Sequence, residues 1–348
     1  MYYAKEYISE IKTFIKDNKL EIFSNKKLLL SGGTGLICSF FIDTLLATDF
    51  NFKITLLCSN TQSAKIRFSA YENDSRIEFL EVDLKKKIDC IADDYDYILS
   101  AASFTDPKNY SAFPVETIVI NVIGSQNLFE VAKSQKHLKK FLVFSSCEVY
   151  GEEKEVLTEE TKGIVNCLNV RSCYNESKRL VETMAVAYSK EYGIDAVIAR
   201  FSRVYGPTMK LADSKALSQF MLNSITGKDV VLKSQGTQRF SYCYVSDAVS
   251  ALITLLEKGE TANAYNITND TEQVELREIA RMVASIEGVN VHFEIPSATE
   301  QAGYSIATVA IQDASKLKKL GWIPAINLEE GIKRTLPIIK QRIQQKDV

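Results

Sequence analysis

Tyr174 and Lys178 stand four residues apart. On a helix that spacing puts both side chains on one face, about one turn from each other. A tyrosine that is to act as a base near neutral pH needs its pKa lowered from ~10 to ~7, which asks for roughly 4 kcal/mol. An ammonium about 4 Å away supplies roughly that much at an effective dielectric of about 20. With 16 tyrosines in the chain, roughly one such pair is expected by chance, so the pair gains meaning only from its surroundings. Just upstream, Ser145-Ser146-Cys147-Glu148 ends an apolar run and offers two hydroxyls, a thiol and a carboxylate. These groups suit proton transfer at a substrate hydroxyl.

Chemistry of this kind needs elements that bring distant segments together. Leu28-Leu29-Leu30 runs into Ser31-Gly32-Gly33-Thr34-Gly35, and an apolar helical pattern opens with Leu36 and Ile37 and continues through Phe40, Phe41, Leu45 and Leu46. A strand, a glycine turn and a helix N-terminus in that order present backbone N–H groups to a pyrophosphate. Gly32 and Gly35 permit the turn and the close approach. Cys38 stands where a third glycine usually serves helix–strand packing. Short apolar runs recur at 27–30, 53–58, 76–80, 95–100, 140–145 and 196–201, with helical patterns between them, notably Thr117–Lys133 and Tyr174–Tyr192. The alternation predicts an α/β fold, a doubly wound parallel sheet with helices on both faces. Ligands of such sheets bind beyond the carboxyl ends of the strands, so Ser31–Gly35, Ala101-Ala102 and Ser145–Glu148 are expected to line one crevice. After Gly206-Pro207 the alternation weakens, and Gly227, Gly236, Asn269 and Gly303 punctuate a smaller second lobe. Ile8, Ile11, Phe14 and Ile15 mark an amphipathic helix in a 1–25 extension, expected to pack on the domain that follows.

Composition narrows the class. The chain has 348 residues and a net charge of −2, with a pI of about 5.9, so no basic field recruits nucleic acid or anionic lipid. Seven cysteines form no CxxC pair, which argues against a disulfide framework. Two histidines make a multi-histidine metal site improbable; no metal is expected. No apolar stretch approaches the ~20 residues of a membrane span, and the first residues lack a signal-peptide core. A cytoplasmic enzyme is the expectation.

Taken together, these motifs resemble the extended short-chain dehydrogenase/reductases, in the branch acting on nucleotide sugars. The resemblance runs from about residue 26 to 335. It is carried by Gly32-x-x-Gly35, Asp83-Leu84, Ala101-Ala102, Asn121-Val122-x-Gly124, Ser145-Ser146, Tyr174-x-x-x-Lys178, Tyr205-Gly206-Pro207, Tyr244-Val245-x-Asp247 and Leu320-Gly321-Trp322. Arg171-x-Cys173-Tyr174-x-Glu176-x-Lys178-Arg179 and Gly236-Thr237-Gln238 are most similar to UDP-glucuronate decarboxylases. The resemblance implies a Rossmann-like domain over 26–202 with a return near 240–267, and a C-terminal substrate-binding lobe from 203–239 and 268–348. It implies NAD, held by Gly32, Thr34, Gly35, Leu36, Ile37, Ser59, Asp83, Leu84, Ala101, Ala102, Asn121 and Lys178. Tyr174 as phenolate would take the proton of a sugar hydroxyl, normally at C4. Ser146 or Ser145 would share that proton, and Lys178 would lower the Tyr174 pKa. The 4-ketone so formed acidifies its neighbouring C–H bonds and lets a C6 carboxylate leave as carbon dioxide. Relatives pair through the helices that precede and carry the tyrosine motif. Val119, Val122, Leu128 and Val131 on one helix, with Leu180, Met184, Val186 and Ala187 on the other, therefore predict a homodimer.

Departures from the pattern leave the outcome open. Cys147 stands where dehydratases carry an acid, beside a retained Glu148; a thiol of pKa ~8.5 is a poor proton donor, and the sequence favours decarboxylation over epimerisation or dehydration. No acid ends the second strand at Leu57-Cys58-Ser59-Asn60, so NADP stays open beside NAD. Arg203 and Thr208 replace the Asn and Arg of decarboxylases around Tyr205-Gly206-Pro207, and Arg239 is displaced by one residue. Arg203, Arg239 and Tyr205 are the candidate substrate contacts, the arginines for phosphate or carboxylate. A non-enzymatic NAD(P)-binding regulator is the alternative from another class, which the intact Tyr174, Lys178 and Ser146 disfavour.

Overall fold

The computed structural model describes residues 5–91, 93–153, 156–294 and 309–345; Gly303 lies outside them. Seven parallel strands form the main sheet in the order Ala264–Ile267, Ala196–Phe201, Lys140–Ser146, Tyr97–Ser100, Lys26–Ser31, Phe52–Cys58 and Ile77–Glu81. The central strands are buried on both faces: Leu28, Leu29 and Leu30 are fully covered, as are Ile98, Leu99, Phe141 and Leu142. Runs without polar alternation are what a parallel sheet sandwiched by helices requires. One apolar cluster fills each face. Leu28, Leu30, Phe40 and Leu56 belong to one, and Leu29, Ile98, Phe129 and Phe141 to the other.

Parallel pairing in register brings the carboxyl ends level. Ser31 pairs with Ser100, Ser100 with Val143, and Ser146 with Phe201. Ser31 Oγ accepts the N–H groups of Ala101 and Ala102 at 3.1 and 3.2 Å, tying two of these ends together. Beyond Phe201 the chain leaves the sheet. Arg203–Tyr205 pairs with Tyr242–Tyr244, and Arg239–Phe240, Val309–Gln312 and Val156–Leu157 form a three-stranded sheet. Ala264–Ile267 then returns to the edge of the main sheet.

The N-terminal helix Lys5–Asp17 buries Tyr7, Ile11 and Phe14. Tyr7 and Phe14 meet Phe40 edge-on, so this helix supports Leu36–Leu46, the helix that follows the glycine turn. Helices Pro114–Lys133 and Ser172–Tyr192 pack side by side.

Candidate active site

The helix Ser172–Tyr192 presents Tyr174 and Lys178 to the end of the strand Lys140–Ser146. Tyr174 is buried and lies against the ring of Tyr110, with centroids 5.2 Å apart and planes inclined by 22°. Burial pushes its phenol well above the usual range, while the Ser146 hydroxyl against it pulls the other way. Lys178 lies over the same ring, and its nearest acceptor is a backbone carbonyl. Its Nζ donates to the Phe144 carbonyl at 2.7 Å and sits 5.7 Å from the centre of the Tyr174 ring. Burial lowers this ammonium to about 8, against the opposing charge of Glu182. In this state desolvation of the phenol outweighs the Ser146 bond, and a further cation beside the ring is what would lower it.

The two serines separate cleanly. Ser145 Oγ donates to Glu182 at 2.5 Å, and Glu182 is itself held by Arg200 at 2.9 and 2.6 Å. Ser145 is thus committed to a structural network. Ser146 ends the strand, accepts the N–H of Glu148 at 3.2 Å, and faces Tyr174.

Glu148 occupies the short helical turn Cys147–Tyr150. Arg171 Nη1 donates to its carboxylate at 3.1 Å and Asn175 Nδ2 at 3.3 Å. Burial raises this carboxyl, but the charges of Arg171 and Arg203 with the bonds from Arg171 and Asn175 prevail, and the net shift is downward. Glu148 is therefore an anion at neutral pH. Cys147 is the opposite case: buried with Val149, Tyr150 and Leu157, its thiol is pushed up to about 11 by burial. It is neutral and fills space.

The glycine turn forms a cradle. Gly32 has φ +68°, and a Cβ there would stand 2.7 Å from the Ala101 carbonyl and the Ala102 nitrogen. Neither contact can give, because both are backbone. Gly35 caps Leu36–Leu46 without a side-chain bond, so N–H groups of the first turn, including those of Leu36 and Ile37, stay available beside Thr34. Cys38 is buried at the third glycine position with no break in the helix. Thr208 Oγ1 donates to the Leu36 carbonyl at 2.8 Å, strapping the segment after Gly206-Pro207 to this end. Asn121 donates to Ser177 at 2.8 Å while its Oδ1 is buried without a partner. Asp83 is exposed and accepts Lys85 N–H, Leu84 is buried, and Ser59 is exposed beside Asn60, which caps the next helix.

Of the three substrate candidates, Tyr205 is not available. It is buried among Tyr242 and Tyr244, and its hydroxyl donates to the Leu328 carbonyl at 3.2 Å. The strand period turned it into the core. Arg239 donates to Gln273 at 2.7 Å, and the Arg203 guanidinium sits over Phe240, 3.4 Å from the ring centre. Tyr110 and Arg171 are partners that sequence reasoning missed as site residues: Arg171 Nη2 donates to the Tyr110 hydroxyl at 3.0 Å. Arg171 was visible only as part of a motif, and nothing around Tyr110 marked it. Among the described residues no cluster of metal-binding side chains is found.

Residues 28–268 match the NAD dependent epimerase/dehydratase family. The chain belongs to this family. It is 32% identical over 311 residues to UDP-glucuronic acid decarboxylase 6 of Arabidopsis thaliana, covering 89% of this chain and 87% of that one. It is 28% identical over 323 residues to UDP-glucuronic acid decarboxylase 1 of Xenopus tropicalis, covering 92% and 74%. Among solved structures it is similar to UDP-glucuronic acid 4-epimerase from Bacillus cereus in complex with UDP-glucuronic acid and NAD. The TM-score is 0.78 at 23% identity, with 90% of this chain and 99% of that chain covered. The dTDP-glucose 4,6-dehydratase from Bacillus anthracis superposes with a TM-score of 0.76 at 22% identity, covering 92% and 98%. Members of the NAD dependent epimerase/dehydratase family use NAD, and this chain fits that cofactor. The Gly32 cradle would be filled by a Cβ, and the buried, unpartnered Oδ1 of Asn121 lies between the two helices that flank the crevice.

Proposed function

We propose that the protein modifies a nucleotide sugar through a transient 4-keto intermediate, with decarboxylation of UDP-glucuronate as the favoured reaction. The observation that carries this reading is the convergence of Tyr174 and Ser146 with Glu148, a buried carboxylate held ionised. NAD, when bound, supplies the acceptor for a hydride from C4 and returns it later. Lys178, anchored on the Phe144 carbonyl, provides a cation for the cofactor ribose and beside the tyrosine. Tyr174 takes the C4 hydroxyl proton and Ser146 shares it. With C4 as a ketone, a C6 carboxylate is a β-keto acid: the C5–C6 bond breaks, carbon dioxide leaves, and the electron pair moves onto the ketone oxygen beside Tyr174 and Ser146. Dehydration needs an acid where Cys147 stands, and a thiol held near 11 does not serve.

The cofactor domain comprises 26–202 and the return near 240–267, and the substrate lobe 203–239 and 268–348; the strand Ala264–Ile267 in the main sheet supports that division. The protein is a homodimer of the cytoplasm serving polysaccharide biosynthesis. Cysteines that are all unpaired suit a reducing compartment, and no helix among the described residues is long and apolar enough to cross a membrane. Incubation of the NAD-loaded protein with UDP-glucuronate, read by mass, tests the reaction. Loss of carbon dioxide is expected. An unchanged mass with altered chromatographic mobility means epimerisation, loss of water means dehydration, and unchanged substrate sinks the enzymatic reading for this sugar.

A further inference from the structure

Arg203 is singular among the arginines. Arg67, Arg76, Arg171, Arg179, Arg200, Arg239, Arg277, Arg334 and Arg342 each bond a carboxylate, an amide oxygen, a hydroxyl or a backbone carbonyl, and Arg281 is exposed. Arg203 is only partly exposed, yet its guanidinium has no hydrogen bond or ion pair among the described residues. What it has is a platform. It lies 3.4 Å from the centre of the Phe240 ring, and its backbone is clamped opposite Tyr242. A guanidinium held over an aromatic face keeps N–H donors for a planar anion.

The surroundings say which anion. Arg203 lies two residues beyond Phe201, the end of a main-sheet strand level with Ser146. Its charge is felt by Cys147, Glu148, Tyr110 and Tyr242, the groups at the reacting end of the crevice. Glu148 feels this charge, but its bonds from Arg171 and Asn175 both fall on Oε2, and neither an ion pair nor a hydrogen bond joins it to Arg203. Arg171 is paired with Glu148, Tyr110, Tyr174, Tyr242 and Cys147 are neutral, and Lys178 is a cation anchored on the Phe144 carbonyl. Arg203 is the cation at this end with neither a hydrogen bond nor an ion pair among the described residues, and its contact is the Phe240 ring. Partly desolvated cations without a partner are costly, so an anion that arrives with the substrate completes the site.

We propose that Arg203 reads a carboxylate on the sugar ring itself, and so selects a uronate over a neutral hexose; this rests on the nucleotide-sugar reading above. The test is calorimetric titration of the NAD-loaded protein with UDP, UDP-glucose and UDP-glucuronate. A Tyr174→Phe background keeps the ligand from turning over. UDP-glucuronate is expected to bind about tenfold or more tighter than UDP-glucose, the worth of one charged hydrogen bond. Arg203→Gln should erase that preference and leave UDP affinity unchanged, while Arg203→Lys keeps part of it. Equal weakening of all three ligands would make Arg203 a diphosphate contact and overturn the proposal. A preference that survives Arg203→Gln, or is missing before it, overturns it while the nucleotide-sugar reading stands. Failure of all three ligands to bind the parent protein removes both. If Arg203→Gln does not fold, the presence or absence of the preference in the parent and in Arg203→Lys decides.

Discussion

Each side chain of the site has a distinct electrical state, and each state yields a measurable consequence. Tyr174→Phe keeps the ring that stacks on Tyr110 and removes only the titrating group. Turnover should fall ~10²–10⁴-fold with the melting temperature and NAD affinity nearly unchanged; more than half of the activity retained would return the tyrosine to a packing role. Glu148→Gln removes the anion that Arg171 holds but leaves hydride transfer possible. Reduced cofactor should then accumulate after substrate is added, visible as absorbance near ~340 nm, whereas full activity would favour an epimerase. Cys147→Ser should be nearly silent, because a buried neutral thiol contributes volume and little else. Lys178, proposed to hold the cofactor ribose, should carry the pH dependence of cofactor binding. Its ammonium, held at about 8, loses its proton as pH rises through that value. NAD affinity of the cofactor-free protein should therefore drop across pH 7–9, and in Lys178→Met it should be weak and flat.

At the scale of elements, the glycine turn and the helix it feeds depend on support from either side. Gly32 combines a left-handed φ of +68° with backbone 2.7 Å from any added Cβ. Gly32→Ala should destabilise the fold and abolish NAD binding, as titration of intrinsic fluorescence would register. From the other side, Tyr7 on the N-terminal helix donates to the buried carboxylate of Asp43 at 2.6 Å, joined by Arg67 at 2.9 Å. Tyr7→Phe removes a hydrogen bond to a buried charge, with a cost of about 1–3 kcal/mol. Thermal unfolding should show that loss, and NAD affinity should fall with it if Lys5–Asp17 positions the nucleotide helix. An unchanged melting temperature would mean the extension merely covers the surface.

For the molecule as a whole, exposed apolar surface and buried charge make opposite demands. Val115 and Ile118 on one helix, and Leu180 and Val186 on its neighbour, are exposed on two packed helices. Leu128 and Val131, expected at the same interface, are instead buried in the chain's own core. A two-fold dimer through the remaining residues predicts particles of twice 39.1 kDa by light scattering. Ile118→Glu combined with Leu180→Glu should reduce them to monomers; a wild-type monomer at micromolar concentration removes the interface. Glu10 shows the cost of a buried charge. Burial pushes its carboxyl from 4.5 up to about 7, only partly opposed by Tyr244 and Arg334. The native state therefore binds more protons than the unfolded chain between pH 4.5 and about 7, and stability falls as pH rises through that window. About 3 kcal/mol is forfeited above it. Glu10→Gln should raise the melting temperature at pH 8 and lose its advantage near pH 5.

The parallel sheet, the glycine turn and the tyrosine–lysine helix were legible because they rest on local patterns. Unbroken apolar runs, glycines at a strand end and a four-residue spacing report backbone geometry that neighbouring residues alone determine. Those patterns also placed Ser31, Ala101 and Ser146 at one edge, since strand ends in a parallel sheet must align. Side-chain commitments were not legible, because they depend on what the fold carries in from far along the chain. Ser145 and Ser146 are indistinguishable as text, and only the approach of Glu182 and Arg200 occupies the first and frees the second. Lys178 keeps to the side of Tyr174 that the spacing gives it, but its bond to the Phe144 carbonyl could not be read from the sequence, because burial sets where an ammonium finds its acceptor. Tyr205 reads as a substrate contact in the sequence, but the Leu328 carbonyl, 123 residues on, takes its hydroxyl in the core. Glu148 acquires its charge from Arg171, 23 residues away, and Arg203 is conspicuous only once every other buried or half-buried arginine has a partner. Sequence periodicity specifies where the backbone runs; desolvation and long-range pairing decide which polar groups are left to act.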